Sequence, residues 1–369
     1  MDGMPLFGSQ NQDTATAYRD EKVLNEIQIM EYLRQNTDIP IPRVHSWGFT
    51  AESPQDLGPF IIMDYVKGTL LSTVLKKPDQ EDMVLNPDID KTILDKIYYQ
   101  IAHYIFQLSQ LAFTWIGAIS KDPTSSAWHV TGRPLTYNMN ELATVSGYPE
   151  DKFPTAPFDR ASEYLRSVAN EHLTHLWTQR NLADNPEIAQ KRIADYLYLS
   201  VTTCDHRIWL IDPQTLEMTA VLDFEFTNAM PAEFTYDPPW WLLLAGPEVW
   251  LERCSMEGFV TLYEPRMEQF LRALERVENE TAVECEQPGG LALSARMRDS
   301  WNIGRFWFDY AARKSFDVDS IYWAALHDEG AGVELLDEKV RAEMESFTRI
   351  KMEQLKAYKE ECTARFSKT

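Results

Sequence analysis

Thr219-Ala220-Val221-Leu222-Asp223-Phe224-Glu225-Phe226-Thr227 is the stretch on which the reading of this chain turns. Ala220-Val221-Leu222 is a short apolar run of the kind that forms a buried strand. Asp223 and Glu225 follow at its end. Residues i and i+2 of an extended chain share a face, so both carboxylates are spaced to reach one Mg²⁺, or to form a solvated, salt-bridged strand end. Just upstream, Asp212-Pro213-Gln214-Thr215 is a cluster of turn formers. It predicts a hairpin of Arg207–Ile211 with Met218–Phe224.

Beyond Asp237-Pro238-Pro239-Trp240-Trp241 the pattern is helical to the end of the chain. Leu336, Val340, Met344, Phe347, Leu355, Tyr358 and Cys362 recur at helical spacing and predict a packed terminal helix. Towards the N-terminus, Val23, Ile27, Met30 and Leu33 mark an amphipathic helix over Glu21 to Arg34, after a polar segment, 1–20, that reads as a flexible arm. Pro40 and Pro42 end that helix. Strands are expected over Val44 to Phe49 and from Pro59 to Val66. Ile93, Ile97, Ile101, Ile105 and Leu108 share one face of a helix from about Lys91 to Thr114. Residues 120–160 show no sustained period and read as a long irregular insertion, with helices resuming near 159–178 and 186–199. The order is α+β, without the alternating βαβ pattern of a doubly wound sheet.

Net charge is −22, from 35 Lys and Arg against 57 Asp and Glu. Such a balance argues against nucleic acid and anionic membrane as partners, because both require a basic patch. It leaves a solvated acidic surface, or one that recruits a cationic small molecule. The four cysteines are scattered and read as free thiols. Neither a signal peptide nor an apolar run of spanning length is legible, so a cytoplasmic protein is expected.

The chemical motifs are sparse. No Gly-rich phosphate cradle, nucleophile elbow or HExxH helix is present. Cys204 lies two residues from His206, but no local nucleophile–base pair is expected from that spacing alone. His172 and His175 lie three apart on a helix without a third ligand, and read as surface histidines. The Trp and Tyr clusters at 240–241, 301–310 and 322–323 read as core before they read as a stacking platform.

Three segments in order carry a resemblance: Glu21 to Leu33, Ile39-Pro40-Ile41-Pro42-Arg43-Val44, and Gly58-Pro59-Phe60-Ile61-Ile62-Met63-Asp64-Tyr65-Val66-Lys67-Gly68. They resemble the small lobe of the aminoglycoside-phosphotransferase family, most of all its fungal paralogues. Thr219 to Thr227, with Asp237 to Leu242, resembles the large lobe. The resemblance implies a protein-kinase-like two-lobed fold, with a reduced N-lobe at 21–66 and a helical C-lobe at 67–369 that carries the hairpin at 203–225. It further implies Mg-ATP as cofactor. Glu26 matches the helix glutamate that pairs with the nucleotide-binding lysine. Asp64, Tyr65 and Val66 match the hinge that holds adenine, and Asp223 matches the Mg²⁺ ligand, with Glu225 beside it.

The chain also departs from that pattern. Only about 20 residues precede the helix, and they carry no phosphate-covering loop and no evident lysine partner for Glu26. Where the family's catalytic loop places an Asp and, further on, an Asn, this chain has Thr203-Cys204-Asp205-His206-Arg207-Ile208. Ile208 stands in the place of the metal-binding Asn, and Asp205 and His206 are the candidates left for acid–base work. The expectation is a small-molecule phosphotransferase relative with impaired or absent ATP-dependent transfer. The alternatives are an active ATP/Mg-dependent kinase, a non-catalytic binding or scaffold protein, and a repurposed enzyme in the old cleft.

Overall fold

The computed structural model describes residues 9–78, 83–146, 148–181, 183–189, 208–282, 291–312, 314, 317–326 and 338–366. Helices dominate, and three small antiparallel sheets are set among them. The first helix, α1, spans Ser9–Asn36 and is longer than the sequence pattern indicates. Residues 9–20, expected as part of a flexible arm, are helical. Their stretch of sequence is polar and carries no apolar stripe, and at its end Asp20 Oδ1 accepts from Thr50 N–H at 2.9 Å. Periodicity cannot report a helical stretch that has no apolar face.

The C-terminal half of α1 does have an apolar face. Ile29, Met30 and Leu33 are buried with Ile39, Ile41, Ile119, Val221 and Phe224 in one core cluster. After the two prolines, β1 (Val44–Gly48) pairs antiparallel with β2 (Phe60–Met63), Trp47 opposite Ile61. A short strand β3 (Thr69–Leu70) then leads into α2 (Leu71–Leu75). Helix α3 (Lys91–Ser109) starts at Asp90, whose carboxylate accepts from Thr92 N–H at 2.7 Å, a standard N-cap.

The 120–160 region is more regular than its sequence suggests. It holds the hairpin β4 (Ala118–Lys121) with β5 (Trp128–Gly132), then α4 (Tyr137–Val145). Strands of four and five residues are too short to show a period, and their turn is built by Asp122 accepting from Thr124 N–H at 2.7 Å. Gly117 enters β4 at φ 149°, where a Cβ would stand 2.2 Å from the Gly132 carbonyl oxygen. Only glycine permits that approach.

Helix α5 (Ala161–Thr178) precedes the hairpin on which the sequence reading turned. β6 (Ile208–Ile211) and β7 (Met218–Leu222) pair as expected, and β3 adds to the outer edge of β6. Asp212 builds the turn, accepting from Gln214 N–H at 2.8 Å. The rest of the described chain is helical: α6 (Pro247–Leu251), α7 (Met256–Ala282), α8 (Leu293–Asn302), α9 (Arg305–Ala312), α10 (Val318–Ile321) and α11 (Glu338–Phe366). The larger core joins α3 to α7, α8 and α9 through Tyr98, Phe259, Tyr263, Phe270, Trp301 and Phe306. Of the aromatic clusters, Trp301, Phe306, Trp307, Tyr310 and Tyr322 are buried in this core, and Trp240, Trp241 and Trp323 pack half-buried against it. Among the described residues, no helix is long and apolar enough to cross a membrane.

Candidate functional site

β7 ends at Leu222, the chain turns over 224–227, where Thr227 N–H donates to the Phe224 carbonyl at 3.0 Å, and Asp223 between them takes a left-handed φ of 69°. A non-glycine residue in that region is costly and is sustained by its surroundings. Here the surroundings are the Phe224 ring, fully buried under α1 among Ile29, Met30 and Val221. The turn presents the backbone of 224–227 to the polar side of α1. Glu26 Oε1 accepts from Phe224 N–H at 3.3 Å. Asn25 Nδ2 donates to the carbonyls of Glu225 and Thr227, both at 3.0 Å. Lys22 Nζ meets Glu225 Oε2 at 2.8 Å and lies 4.8 Å above the Phe226 ring. Lys22, Asn25 and Glu26 are at i, i+3 and i+4, so one helical face makes every one of these contacts.

Glu26, Asp223 and Glu225 are therefore brought together. Burial pushes the Glu26 carboxyl up to about 7, opposed by the Phe224 N–H, reinforced by the charges of Asp223 and Glu225, and lowered in part by Lys22. One turn earlier on α1, Glu21 takes a bidentate bond from Arg133, at 2.9 and 2.6 Å. The same guanidinium lies 5.8 Å from the Tyr18 ring. Beyond Arg133, the Glu171 carboxyl is completely enclosed, and burial raises it to about 8. Asn138 Nδ2 donates to it at 3.5 Å.

No known protein family, curated protein or solved structure matches this chain. The residues themselves therefore carry the reading of the site.

Asp64, Tyr65 and Val66 follow β2. Asp64 Oδ1 pairs with His45 Nε2 at 2.7 Å, and Oδ2 accepts from Arg43 N–H at 3.2 Å, so the His45 bond and then the Arg43 N–H hold its carboxyl below the usual range. Tyr65 is 89% exposed, and Val66 is half-buried. Asp205 and His206 lie outside the described residues, as does Cys204. His172 and His175 are buried rather than on the surface: His172 Nε2 lies 3.0 Å from the Ala312 carbonyl oxygen, and burial pushes its ring down to about 4. Cys254 and Cys362 are free thiols.

As folded, the donor set at the hairpin does not fit a divalent cation. Glu225 gives its carboxylate to the Lys22 ammonium, and Glu26, half-buried, accepts from the Phe224 N–H. Among the described residues, no three His, Cys, Asp or Glu side chains converge as metal ligands. Next to the junction is an apolar cavity of about 280 Å³ whose walls include Tyr32, Phe113, Phe226, Phe234, Trp240 and Trp241. Two polar side chains on its wall are already engaged. Asn228 Oδ1 accepts from Leu135 N–H at 3.1 Å, while Asp237 accepts from the Ser300 hydroxyl and lies 3.7 Å from Arg305 Nε. Lys22, Asn25 and Arg133 have no motif in the sequence. The only clue is that Lys22 and Asn25 stand four and one residues before Glu26.

Proposed function

We propose that this chain is a kinase-fold relative of the aminoglycoside-phosphotransferase type that keeps the family's architecture at α1 and the 223–225 hairpin end, with ATP-dependent phosphoryl transfer impaired or lost. One observation carries the reading: Glu26 is docked on the Phe224 backbone beside Asp223, and the cation acting on it is Lys22 of its own helix. In an active enzyme of this kind, a lysine from the strands of the small lobe would pair with the helix glutamate and hold the phosphates. Under this reading α1 with β1 and β2 is the reduced small lobe, and 67–369 is the large one. Transfer without such a lysine would lack most of the charge stabilisation on which it depends.

The test is a melt of the full chain with millimolar ATP and MgCl₂, beside an ATP-hydrolysis assay. The expected result is no turnover above the buffer rate. Turnover that disappears in Asp223→Ala and in Asp205→Ala would overturn the reading in favour of a working small-molecule kinase. A role in binding a small apolar molecule draws separately on the aromatic cavity of about 280 Å³, close to the lower end of ordinary ligand sites.

A further inference from the structure

We propose that the aromatic cavity between α1 and the 226–241 segment binds a neutral, weakly polar molecule of two fused aromatic rings. The proposal deepens the apolar-ligand reading above and rests on it, not on the phosphotransferase assignment. Of the described residues on the cavity wall, none is a hinge residue of the kinase-type reading, and Asp223 is not among them. The site is therefore distinct from the nucleotide cleft which that reading requires.

Its place in the fold is where the two cores meet. Ile29, Leu33 and Ile119 of the smaller core contribute to the wall, and so do Met297, Trp240 and Trp241 on the side of the larger one. The six aromatic residues of the wall, Tyr32, Phe113, Phe226, Phe234, Trp240 and Trp241, are all half-buried. Elsewhere in the same cores Phe224, Phe259 and Phe270 are fully buried. Six neighbouring rings thus keep apolar surface at one place, and a bound ring system would cover it. An apolar cavity of about 150 Å³ accepts a benzene ring. The space here is about 280 Å³, which suits two fused rings.

The wall also sets the charge of the ligand. Among the described residues no lysine, arginine or histidine lines the cavity, so an anion would enter without a counter-charge. A cation is opposed as well. The Lys22 ammonium already lies 4.8 Å above the Phe226 ring, and Asp237 is engaged by the Ser300 hydroxyl and lies 3.7 Å from Arg305 Nε. Asn228 is occupied at both ends of its amide: Oδ1 accepts from Leu135 N–H at 3.1 Å, and Nδ2 donates to the Phe226 carbonyl at 3.0 Å. The other polar residues of the wall, Tyr32, Thr227 and Thr235, carry neutral hydroxyls. They suit a ligand with one polar group, whereas one rich in hydrogen-bonding groups would lose more to water than it regained.

The experiment is isothermal titration calorimetry of the full chain with naphthol, naphthalenesulfonate and naphthylmethylammonium, all substituted at the same ring position. Naphthol should bind one to one with a Kd of about 100 μM, and each charged analogue at least about tenfold more weakly. Millimolar ATP with MgCl₂ should not displace it. Leu108→Trp and Ala229→Leu fill the space; each should melt close to wild type and weaken naphthol at least about tenfold. A naphthyl diazirine photolysed on wild type needs no variant to fold, and should label peptides that carry 29–33 or 226–241. Labelling confined to other segments overturns the proposal, as does naphthol binding that survives in a folded filling variant or is displaced by ATP. A charged analogue that binds as tightly as naphthol overturns the neutral class and leaves the apolar-ligand reading standing. Absence of saturable binding by all three overturns both. ATP turnover bears on neither, so the transfer-deficient reading stands or falls separately.

Discussion

At Glu26, burial is the main reason the carboxyl is pushed up to about 7 from its ordinary value of 4.5. The folded chain holds this proton more tightly than the unfolded chain, so ionisation costs the fold. That cost is absent below about 4.5, grows as the pH rises, and is complete above about 7. Glu26→Gln removes the titration while the side-chain carbonyl still accepts from Phe224 N–H. The variant should match wild type near pH 4 and exceed it at pH 8 by of order 1–3 kcal/mol, read from urea unfolding at the two pH values. Equal pH slopes in both proteins would show that Glu26 is not strained by ionisation. Asp223 shows the other kind of residue-scale cost, a left-handed backbone maintained by the burial of its neighbour Phe224.

Helix α11 illustrates how an element can be secured by a single polar group. Lys351 is 1% exposed, and its ammonium donates to the Trp177 and Gln179 carbonyls at the end of α5 and to Gln354 Oε1, at 2.9, 3.1 and 2.7 Å. Cations are favoured at a helix C-terminus, and these carbonyls have no partner within α5 itself. Burial pushes the Lys351 amine down to about 8. Phe347 packs edge-on against Trp177 beside it, with ring centroids 4.9 Å apart. Lys351→Ala should loosen α11 by about 1–3 kcal/mol, visible as faster amide exchange confined to 338–366 and the end of α5. Unchanged exchange there would show that apolar packing alone holds the helix. The elements that were legible in the sequence, α3, the β6–β7 hairpin and α11, are those with sustained periods or turn chemistry of their own. The β4–β5 hairpin was missed because four or five residues carry no measurable period, and the start of α1 because its first turns have no apolar stripe.

For the whole molecule, a net charge of −22 means that carboxylates repel one another across the surface. Many are paired locally, as in Arg298 with Glu268 and Glu275 at 3.1 and 3.0 Å, but 35 cations cannot neutralise 57 anions. Screening over a Debye length of about 10 Å at 0.1 M salt should therefore stabilise the fold. The melting temperature should rise by a few degrees, about 2–4 °C, between very low and physiological ionic strength, followed by calorimetry in NaCl. A fall over that range would mean that local ion pairs outweigh the global repulsion. The two main cores are distinct clusters of buried residues that meet at the stacked Tyr104 and Trp209 rings, which pack against both. One binds α1 to Phe224 and the other binds α3 to α7, so the junction at Asp223 depends on the smaller of them.

The sequence by itself determined the α+β order, the hairpin that ends at Asp223, and the helix that carries Glu26. Each of these depends on spacing within a few residues, where side-chain period and turn chemistry act directly on the backbone. Tertiary structure alone decided what Glu225 touches, because its partner Lys22 lies some 200 residues away in the chain and pairs with it only once Phe224 is buried under α1. It also decided that His172 and His175 are interior rather than surface residues, and that Arg133 reaches across to Glu21. Charged side chains have no period and bond to whatever the fold brings within about 3 Å. The partners of a polar residue are therefore a property of the packed molecule, whereas helix, strand and turn belong already to the local chain.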